Sequence, residues 1–165
     1  MDQEPPKTPQ ELMEKIKEDY VLKNYLWTGD IHTPAFEPDC EFKDPTLTFT
    51  GADTFIRNVQ NLVPIVEFFT SNGSGNRSDL LDISLNDEKQ YIQTRWNMVG
   101  DLSTLPWRPK IDVIGRTKFW YRKVEDGGFR VYFYDEEWEI PAAKALLQLV
   151  TRPGTIRNTD QEIIQ

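Results

Sequence analysis

The hydrophobic and polar positions of the chain follow one period in its first part and another in its second part. Before the Ser71–Ser78 loop, apolar residues recur at intervals of three and four, which is the period of an amphipathic helix. After this loop, apolar and polar residues alternate, as in a strand with one buried face. Two helices followed by consecutive strands with short turns predict an α+β fold with an antiparallel sheet rather than a parallel βαβ fold.

The helices have recognisable starting signals. The first follows Thr8-Pro9-Gln10-Glu11, which combines a capping threonine, a proline at the first helical position and the acidic residue of a capping box. We expect this helix to run to about Leu26. The second begins after Thr50, and Pro64 is expected to break or kink it because proline lacks a backbone donor. A third, short helix is predicted over Ala142–Val150.

Five stretches are predicted to be extended. They are Phe36–Phe42, Leu81–Leu85, Tyr91–Val99, Ile111–Lys123 and Phe129–Glu139. Alternation within the fourth stretch places Val113, Gly115, Thr117, Phe119 and Tyr121 on one face. Alternation within the last stretch places a mixed aromatic and polar set, Tyr132, Tyr134, Glu136 and Trp138, on one face.

The length and composition indicate one domain with its own core. Of the 165 residues, 38% are hydrophobic and 12% aromatic, which suits an ordinary globular domain. We place this domain at residues 9–150, between a disordered N-terminal tail at residues 1–8 and an irregular C-terminal tail at residues 151–165. The N-terminal segment lacks the features of a secretory signal or transit peptide, and no stretch approaches the about 18 apolar residues of a spanning helix. We therefore expect a soluble intracellular protein without a membrane span.

The charge and the rarity of cysteine and histidine exclude several kinds of function. The 27 acidic and 19 basic residues give a net charge of −8, which repels phosphate backbones, so no nucleic acid partner is expected. The basic row Arg116, Lys118, Arg122 and Lys123 is interpreted as a solvated strand face. A single cysteine, Cys40, and a single histidine, His32, exclude an internal disulfide and a zinc finger. Neither a metal nor a cofactor is expected.

Several segments resemble a known fold family. Asp39–Thr46 followed by Phe49-Thr50-Gly51 resembles the segment before the second helix in SnoaL-like proteins of the nuclear transport factor 2-like superfamily. Leu105–Pro109, Gly115–Thr117 and Tyr134–Glu139 resemble an uncharacterised SnoaL-like family of plants, algae and cyanobacteria. The resemblance covers about residues 9–150. It implies a cone-shaped fold with N-terminal helices on a strongly curved antiparallel sheet, and it implies a chloroplast location.

This resemblance also implies a conical pocket and candidate chemistry. Enzymes of the superfamily place an acid–base carboxylate in an apolar cavity, where burial raises its pKa towards neutrality. Asp44 and Glu136 are the candidate catalytic residues, and Glu136 qualifies if it points inward. Asp44 has an alternative interpretation as a turn-forming residue before Pro45, since aspartate commonly bonds its own backbone there.

Six further residues are candidates for ligand binding. Tyr132, Tyr134 and Trp138 would line the pocket, although the same face could be an amphipathic strand or a dimer surface. Trp96 could line the pocket or belong to the core. Trp107 and Arg108, held between two prolines, could gate the pocket and bind an anionic group, or form a structural turn.

Three functions remain open from the sequence. The first is a protein that binds a small hydrophobic molecule without catalysis, which predicts a pocket without a carboxyl of raised pKa. The second is a cofactor-independent isomerase, cyclase or hydrolase, which predicts a buried carboxylate beside tyrosine or tryptophan donors. The third is a non-catalytic interaction module that forms a homodimer through the sheet. We favour small-molecule binding from the sequence.

Overall fold

The chain folds into a curved sheet covered on one face by helices. The computed structural model describes residues 4–69 and 75–153, and for residues 62–69 it describes the backbone only. The helices are α1 (Pro9–Val21), α2 (Tyr25–Thr28), α3 (Ala52–Phe69) and α4 (Ala142–Leu147), with a 3-10 turn at Thr33–Ala35. The strands are β1 (Phe36–Lys43), β2 (Thr48–Thr50), β3 (Arg77–Asn86), β4 (Tyr91–Asp101), β5 (Lys110–Lys123) and β6 (Phe129–Trp138).

The sheet confirms the predicted α+β class. Its strand order is β2-β1-β6-β5-β4-β3, and consecutive strands from β3 to β6 pair antiparallel. The pairing of β1 with β6 is parallel, which the sequence did not predict, and β2 pairs antiparallel with β1 at the sheet edge. The first half of the chain therefore joins the sheet beside its last strand, and α1 and α3 lie on the same side of it.

Helix α1 starts where the sequence predicted and ends earlier. Thr8 Oγ1 accepts a hydrogen bond from the Glu11 amide at 3.1 Å, while Glu11 Oε2 accepts from the Lys7 amide at 2.7 Å. The helix ends at Val21 instead of Leu26 because Asn24 adopts a left-handed conformation with φ of 53°. The Asn24 side chain binds the start of β3. Its Nδ2 donates to the Asn76 carbonyl at 3.1 Å, and its Oδ1 accepts from the Ser78 hydroxyl at 2.6 Å.

Helices α3 and α4 also end at residues other than those expected from the sequence. Helix α3 continues past Pro64 to Phe69, so the expected break at this proline was wrong. An internal proline costs a helix about 3 kcal/mol, and packing of α3 against β1 and β2 opposes this cost. Helix α4 ends at Leu147 rather than Val150.

Two β-bulges change which side chains reach the core. In β6, Phe133 lies opposite Trp120 and Val131 opposite Tyr121, so Tyr132 has no partner across the pair. Val131 and Tyr134 are consequently both buried, while the Tyr132 ring lies 4.7 Å from the Arg122 guanidinium on the outer face. The prediction that Tyr132 shares a face with Tyr134 was wrong for this reason.

The second bulge lies in β3. Leu80 lies opposite Trp96 and Asp82 opposite Arg95, which leaves Leu81 as the extra residue. Leu80 packs on the core, and Leu81 is 47% exposed. Plain alternation over Leu81–Leu85 would place Leu81 on the same face as Ile83 and Leu85, and the bulge is the reason why Leu81 departs from that face.

The described chain includes part of the predicted N-terminal tail and only the first three residues of the predicted C-terminal tail. Pro6 is buried, and its carbonyl accepts a hydrogen bond from the Phe129 amide at 2.8 Å. Residues 154–165 of the predicted C-terminal tail lie outside the described residues. Among the described residues, no helix is both long enough and apolar enough to cross a membrane.

Close packing between β4 and β5 depends on Gly115. Trp96 is buried, its Nε1 donates to Thr117 Oγ1 at 2.9 Å, and its ring lies against Gly115. A Cβ atom at residue 115 would lie 2.6 Å from Trp96 Cη2 and 2.8 Å from the Glu137 carbonyl oxygen. Atoms this close must move apart, so a larger residue at this position would force the Trp96 ring or the backbone of β6 to shift.

We expect Gly115→Ala to lower the free energy of unfolding by about 1–3 kcal/mol, the usual cost of overpacking. Urea denaturation followed by circular dichroism measures this loss. Trp96→Phe provides the matched background, because a smaller ring leaves more room above residue 115. An equal loss in both backgrounds would show that the Trp96 ring is not what the new methyl group meets.

Candidate functional site

The inner face of β6 carries the residues that the alternation pattern grouped together. Tyr134, Glu136 and Trp138 lie opposite the β5 residues Phe119, Thr117 and Gly115. Directly opposed residues of a sheet point to the same face. Since Phe119 and Thr117 are buried under the helices, Tyr134, Glu136 and Trp138 point into the same interior.

Both carboxylate oxygens of Glu136 accept a hydrogen bond from an aromatic side chain. The Tyr134 hydroxyl donates to Oε2 at 2.5 Å, and Trp138 Nε1 donates to Oε1 at 2.8 Å. The donors stand two residues before and two residues after Glu136 on the same strand. Strand geometry alone therefore holds this carboxylate between a phenol and an indole.

The surroundings of Glu136 raise its pKa to about 7. Burial is the largest cause, because it penalises the charged form. The hydrogen bonds from Tyr134 and Trp138 oppose the shift, and the nearby negative charge of Asp44 adds to it. At neutral pH both protonation states of Glu136 are populated, which is the condition that suits a group for proton transfer.

A chain of buried hydroxyl groups leads away from Glu136. The Tyr134 hydroxyl lies 3.0 Å from the Tyr25 hydroxyl, which donates to the Tyr20 hydroxyl at 3.0 Å. The Tyr20 hydroxyl lies 2.8 Å from Thr94 Oγ1. Burial raises the pKa of all three tyrosines above the ordinary value, so the phenols keep their protons.

The sequence did not identify Tyr20 and Tyr25 as site residues. Tyr20 fits the apolar stripe of α1, and Tyr25 lies beyond the break at Asn24. The available signal was the residue type, since a buried tyrosine hydroxyl needs a hydrogen-bond partner that leucine or phenylalanine would not need.

An apolar wall flanks the tyrosines. The Phe42 ring stacks on Phe49 and Phe55, with centroid distances of 5.4 and 5.0 Å. It also lies 5.1 Å from the Tyr134 ring. Strands β1 and β2 and the first turn of α3 supply these three rings, which surround Tyr134 with hydrocarbon and limit its contact with water.

Asp44 occupies a turn beside the site. Its Oδ1 accepts hydrogen bonds from the Thr46 amide and hydroxyl, both at 2.6 Å, and from the Leu47 amide at 3.0 Å. These bonds are those of the turn-forming interpretation. Asp44 is half-buried and acts on Glu136 through its charge.

Three of the remaining predicted residues, Tyr132, Trp107 and Arg108, do not lie at Glu136, whereas Trp96 is bonded to Thr117, the residue opposite Glu136. Trp96 is a core residue bonded to Thr117, and Tyr132 lies on the outer face of the sheet. Trp107 and Arg108 lie in the β4–β5 loop, where the Trp107 Nε1 donates to the Leu149 carbonyl at 3.0 Å. They line a separate cleft with Arg152 and Pro153.

The outer face of the sheet is rich in paired charges. Arg95 donates twice to Glu139, at 2.8 and 3.0 Å, and Arg122 donates twice to Glu37, at 2.6 Å each. Lys118 lies 5.1 Å from the centre of the Tyr91 ring. Pairing of two chains through this face stays a prediction.

A second carboxyl with a raised pKa lies away from this site. Both carboxylate oxygens of Asp19 in α1 accept from the His32 amide, Oδ2 at 2.9 Å and Oδ1 at 3.1 Å. Asp19 Oδ1 also forms an ion pair with Lys23 Nζ at 3.1 Å. Burial raises its pKa to about 6 in spite of these partners. Its contacts join α1 to the chain before β1, so we assign it a structural role.

The described carboxyl groups are too scattered to form a metal site with other ligands. Among the side chains of residues 4–61 and 75–153, no group of three or more histidine, cysteine, aspartate or glutamate residues could hold a metal ion. Burial, together with the nearby carboxylates, raises the pKa of the Cys40 thiol to about 12. This thiol is protonated at neutral pH and is therefore a poor nucleophile.

Solved structures share this fold at low sequence identity. A Jannaschia sp. CCS1 protein named as a SnoaL-like polyketide cyclase has a TM-score of 0.54 at 12% identity, covering 91% of this chain and 94% of that chain. A Catenulispora acidiphila protein with a ketosteroid isomerase-like fold, solved with trimethylamine, has a TM-score of 0.53 at 13% identity, covering 87% and 95%. An LEH-like epoxide hydrolase from M. tuberculosis has a TM-score of 0.52 at 12% identity, covering 86% and 96%. These similarities show the fold that the sequence resemblance implied.

Sequence comparison points to one family. The family described as "Uncharacterized conserved protein (DUF2358)" matches residues 10–126. The comparison with curated proteins found no match. An origin in photosynthetic organisms and a chloroplast location stay predictions.

Proposed function

Because the chain belongs to the DUF2358 family of uncharacterised conserved proteins, whose description names no reaction, we propose a function from its own site. The protein binds a small, largely apolar molecule beside Glu136, and the Glu136 carboxyl transfers a proton to or from it. The observation that carries this proposal is one inward-facing carboxyl with a pKa of about 7, held by Tyr134 and Trp138. The reaction class is a cofactor-independent isomerisation or cyclisation.

The Glu136 carboxylate can accept a proton while it keeps both of these hydrogen bonds. Each carboxylate oxygen has two lone pairs, and Tyr134 and Trp138 occupy one lone pair on each. A free lone pair can therefore accept a proton from a C–H or O–H group of a bound molecule. The apolar rings nearby favour molecules that carry little charge.

The hydroxyl chain can serve both protonation states of Glu136. Four hydrogen bonds join Glu136, three tyrosines and Thr94, and each hydroxyl has one proton to donate. When Glu136 is ionised, the Tyr25 hydroxyl turns its proton from Tyr20 to Tyr134, so that the bonds are directed towards the carboxylate and stabilise its charge. When Glu136 is protonated, it can donate to Tyr134, and the bonds are directed towards Thr94. Neither state leaves a buried hydroxyl unpaired, so proton transfer requires no rearrangement of heavy atoms.

A binding protein without catalysis is the alternative that the sequence favoured. It predicted a pocket without a carboxyl of raised pKa. The position of Glu136 supports the catalytic alternative, because a carboxyl that only anchors a ligand gains nothing from a pKa near the working pH. Loss of binding and loss of catalysis can be measured separately.

The proposed chemistry can be tested with 5-nitrobenzisoxazole, a small apolar molecule with an acidic C–H group. A base removes its C3 proton, the electron pair of that C–H bond completes a nitrile, the N–O bond breaks, and the oxygen takes up the N–O electron pair as a coloured phenolate of the same molecule. The protein is expected to accelerate this reaction with a pH midpoint near 7, which matches the ionisation of Glu136. A rate no greater than that of free carboxylate in solution would contradict the proposal.

We expect Tyr25→Phe to raise the pH midpoint of this reaction by about half a unit, because it removes the middle of the donor chain that supports ionised Glu136. A pH–rate profile measures the change. Tyr91→Phe on the outer face removes a tyrosine hydroxyl that contacts Asn86 and serves as the matched control. Equal midpoints in the two variants would show that the chain does not act on Glu136.

A further inference from the structure

We propose that the protein has a second binding site, for a planar ring compound that carries a phosphate group. The site is the cleft between the β4–β5 loop and the segment after α4. Its volume is about 440 Å³, and its lining consists of Pro106, Trp107, Arg108, Arg152 and Pro153. A cleft of this size falls in the range of small-molecule sites.

The two walls of the cleft are joined by hydrogen bonds. Trp107 Nε1 donates to the Leu149 carbonyl at 3.0 Å. The buried Gln148 side chain pairs with the backbone of Asp112 in β5, at 2.9 Å to its carbonyl and 3.0 Å from its amide. These bonds hold the segment after α4 against the sheet, so the cleft exists before a ligand arrives and binding requires little ordering.

The cleft presents two cations that other side chains leave unpaired. Five other arginines of the described chain form ion pairs, namely Arg77, Arg95, Arg116, Arg122 and Arg130. Among the side chains described, those of residues 4–61 and 75–153, the other three arginines, Arg57, Arg108 and Arg152, have no ion pair. Arg108 and Arg152 line the same cleft. Guanidinium groups bind phosphate oxygens in a bidentate manner.

The backbone conformation of Arg108 indicates that its side chain has a function. Its φ of 44° lies in the left-handed region, where glycine is unstrained and a long side chain is uncommon. The amide of Arg108 donates to the Leu105 carbonyl at 2.9 Å, which closes the turn that holds this conformation. Strained backbone of this kind concentrates at functional sites.

The exposed indole of Trp107 is the reason for proposing a ligand with a planar ring. Trp107 is 40% exposed although its Nε1 is bonded, so the open part of the side chain is aromatic surface rather than its polar atom. A flat ring that stacks on this indole would place an attached phosphate near the guanidinium groups of Arg108 and Arg152. Nucleoside monophosphates are the general class with this combination of ring and dianion.

The test is a titration with AMP, adenosine and inorganic phosphate, followed through the Trp107 indole N–H signal by NMR. Trp107→Phe assigns that signal. AMP is expected to bind more tightly than either of its parts, because the ring and the phosphate use different residues. Absence of AMP binding, or adenosine binding as tight as that of AMP, would overturn the proposal.

Two variants examine the cations separately from folding. Arg152→Gln is expected to weaken AMP binding about tenfold, the usual effect of removing one charge-assisted contact. Arg108→Gly is expected to weaken it similarly while the thermal midpoint holds or rises, since glycine relieves the left-handed backbone. Arg116→Gln, on the outer face, is the control and should leave AMP binding unchanged. Unchanged binding in Arg152→Gln would overturn the proposal even if Arg108→Gly fails to fold.

Discussion

Glu136→Gln is expected to reduce the rate of 5-nitrobenzisoxazole ring opening about a hundredfold or more, which is the usual contribution of a positioned base. The amide keeps the shape of the carboxyl group and can still contact Tyr134 and Trp138, but it cannot accept a proton near neutral pH. The remaining rate should also lose its pH midpoint near 7. Initial rates between pH 5 and 9, read from the absorbance of the phenolate, measure both effects.

Matched carboxyl controls accompany this variant. Asp135→Asn changes the neighbouring residue on β6, which lies opposite Lys118 on the outer face of the sheet. Asp44→Asn removes the negative charge that acts on Glu136 and should lower the pH midpoint slightly without removing the activity. If Asp135→Asn reduced the rate as much as Glu136→Gln, the base would not be the inward-facing carboxyl, and the proposed function would be wrong.

The same group should make the stability of the wild-type chain fall as the pH rises from about 4.5 to about 7. The pKa of Glu136 is raised from 4.5 to about 7 in the folded chain. Between these values the folded state holds a proton that the unfolded state has released, so each rise in pH favours unfolding. Below this window both states are protonated, and above it both are ionised, so the slope from this group vanishes on either side.

The size of this loss of stability follows from the pKa shift of Glu136. A difference of 7 − 4.5 in pKa would correspond to about 3 kcal/mol, and partial exposure of Glu136 to solvent reduces the expected loss to about 1–2 kcal/mol. Glu136→Gln should remove the loss and leave the variant more stable than the wild type at pH 8. Urea denaturation at half-unit pH intervals measures the free energy of unfolding.

Asp19 contributes to the same curve and must be separated from Glu136. Its pKa is raised from 3.8 to about 6, so its contribution has the same sign but ends at lower pH. Glu136→Gln should therefore keep a slope between about pH 4 and 6 and lose the slope above pH 6. Asp19→Asn should reduce the slope below pH 6 and keep the slope of Glu136 up to about pH 7. Equal slopes between pH 6 and 7 in the wild type and in Glu136→Gln would contradict a raised pKa at Glu136.

Local patterns of the sequence predicted the elements that depend on neighbouring residues. The capping threonine marks the start of α1, and the alternation of β5 places Phe119 and Thr117 in the interior. Because β6 runs beside β5 in register over its second half, the same alternation identifies Tyr134, Glu136 and Trp138 as one inward-facing group. Glu136 was a candidate from the sequence for this reason.

Other features depend on contacts between distant parts of the chain. The bulge at Tyr132 adds one residue to β6 where the sheet bends, and no local pattern marks it, so the predicted face was wrong on one side of the bulge. The partners of Tyr20 and Tyr25 come from β4 and β6, more than 70 residues away. The separation of Trp107 and Arg108 from Glu136 likewise depends on where the β4–β5 loop packs, against Leu149.

The most direct test of the account is the ionisation of Glu136 itself. Selective 13C labelling of glutamate side chains allows each carboxyl carbon to be followed by NMR across pH 3 to 9, and Glu136→Gln identifies the signal of interest by its loss. The account predicts one glutamate signal with a midpoint near 7, and that signal should be the one missing from the variant. A midpoint near 4.5 for that signal would contradict it, because Glu136 would then be an ordinary carboxylate with no proton to exchange at neutral pH.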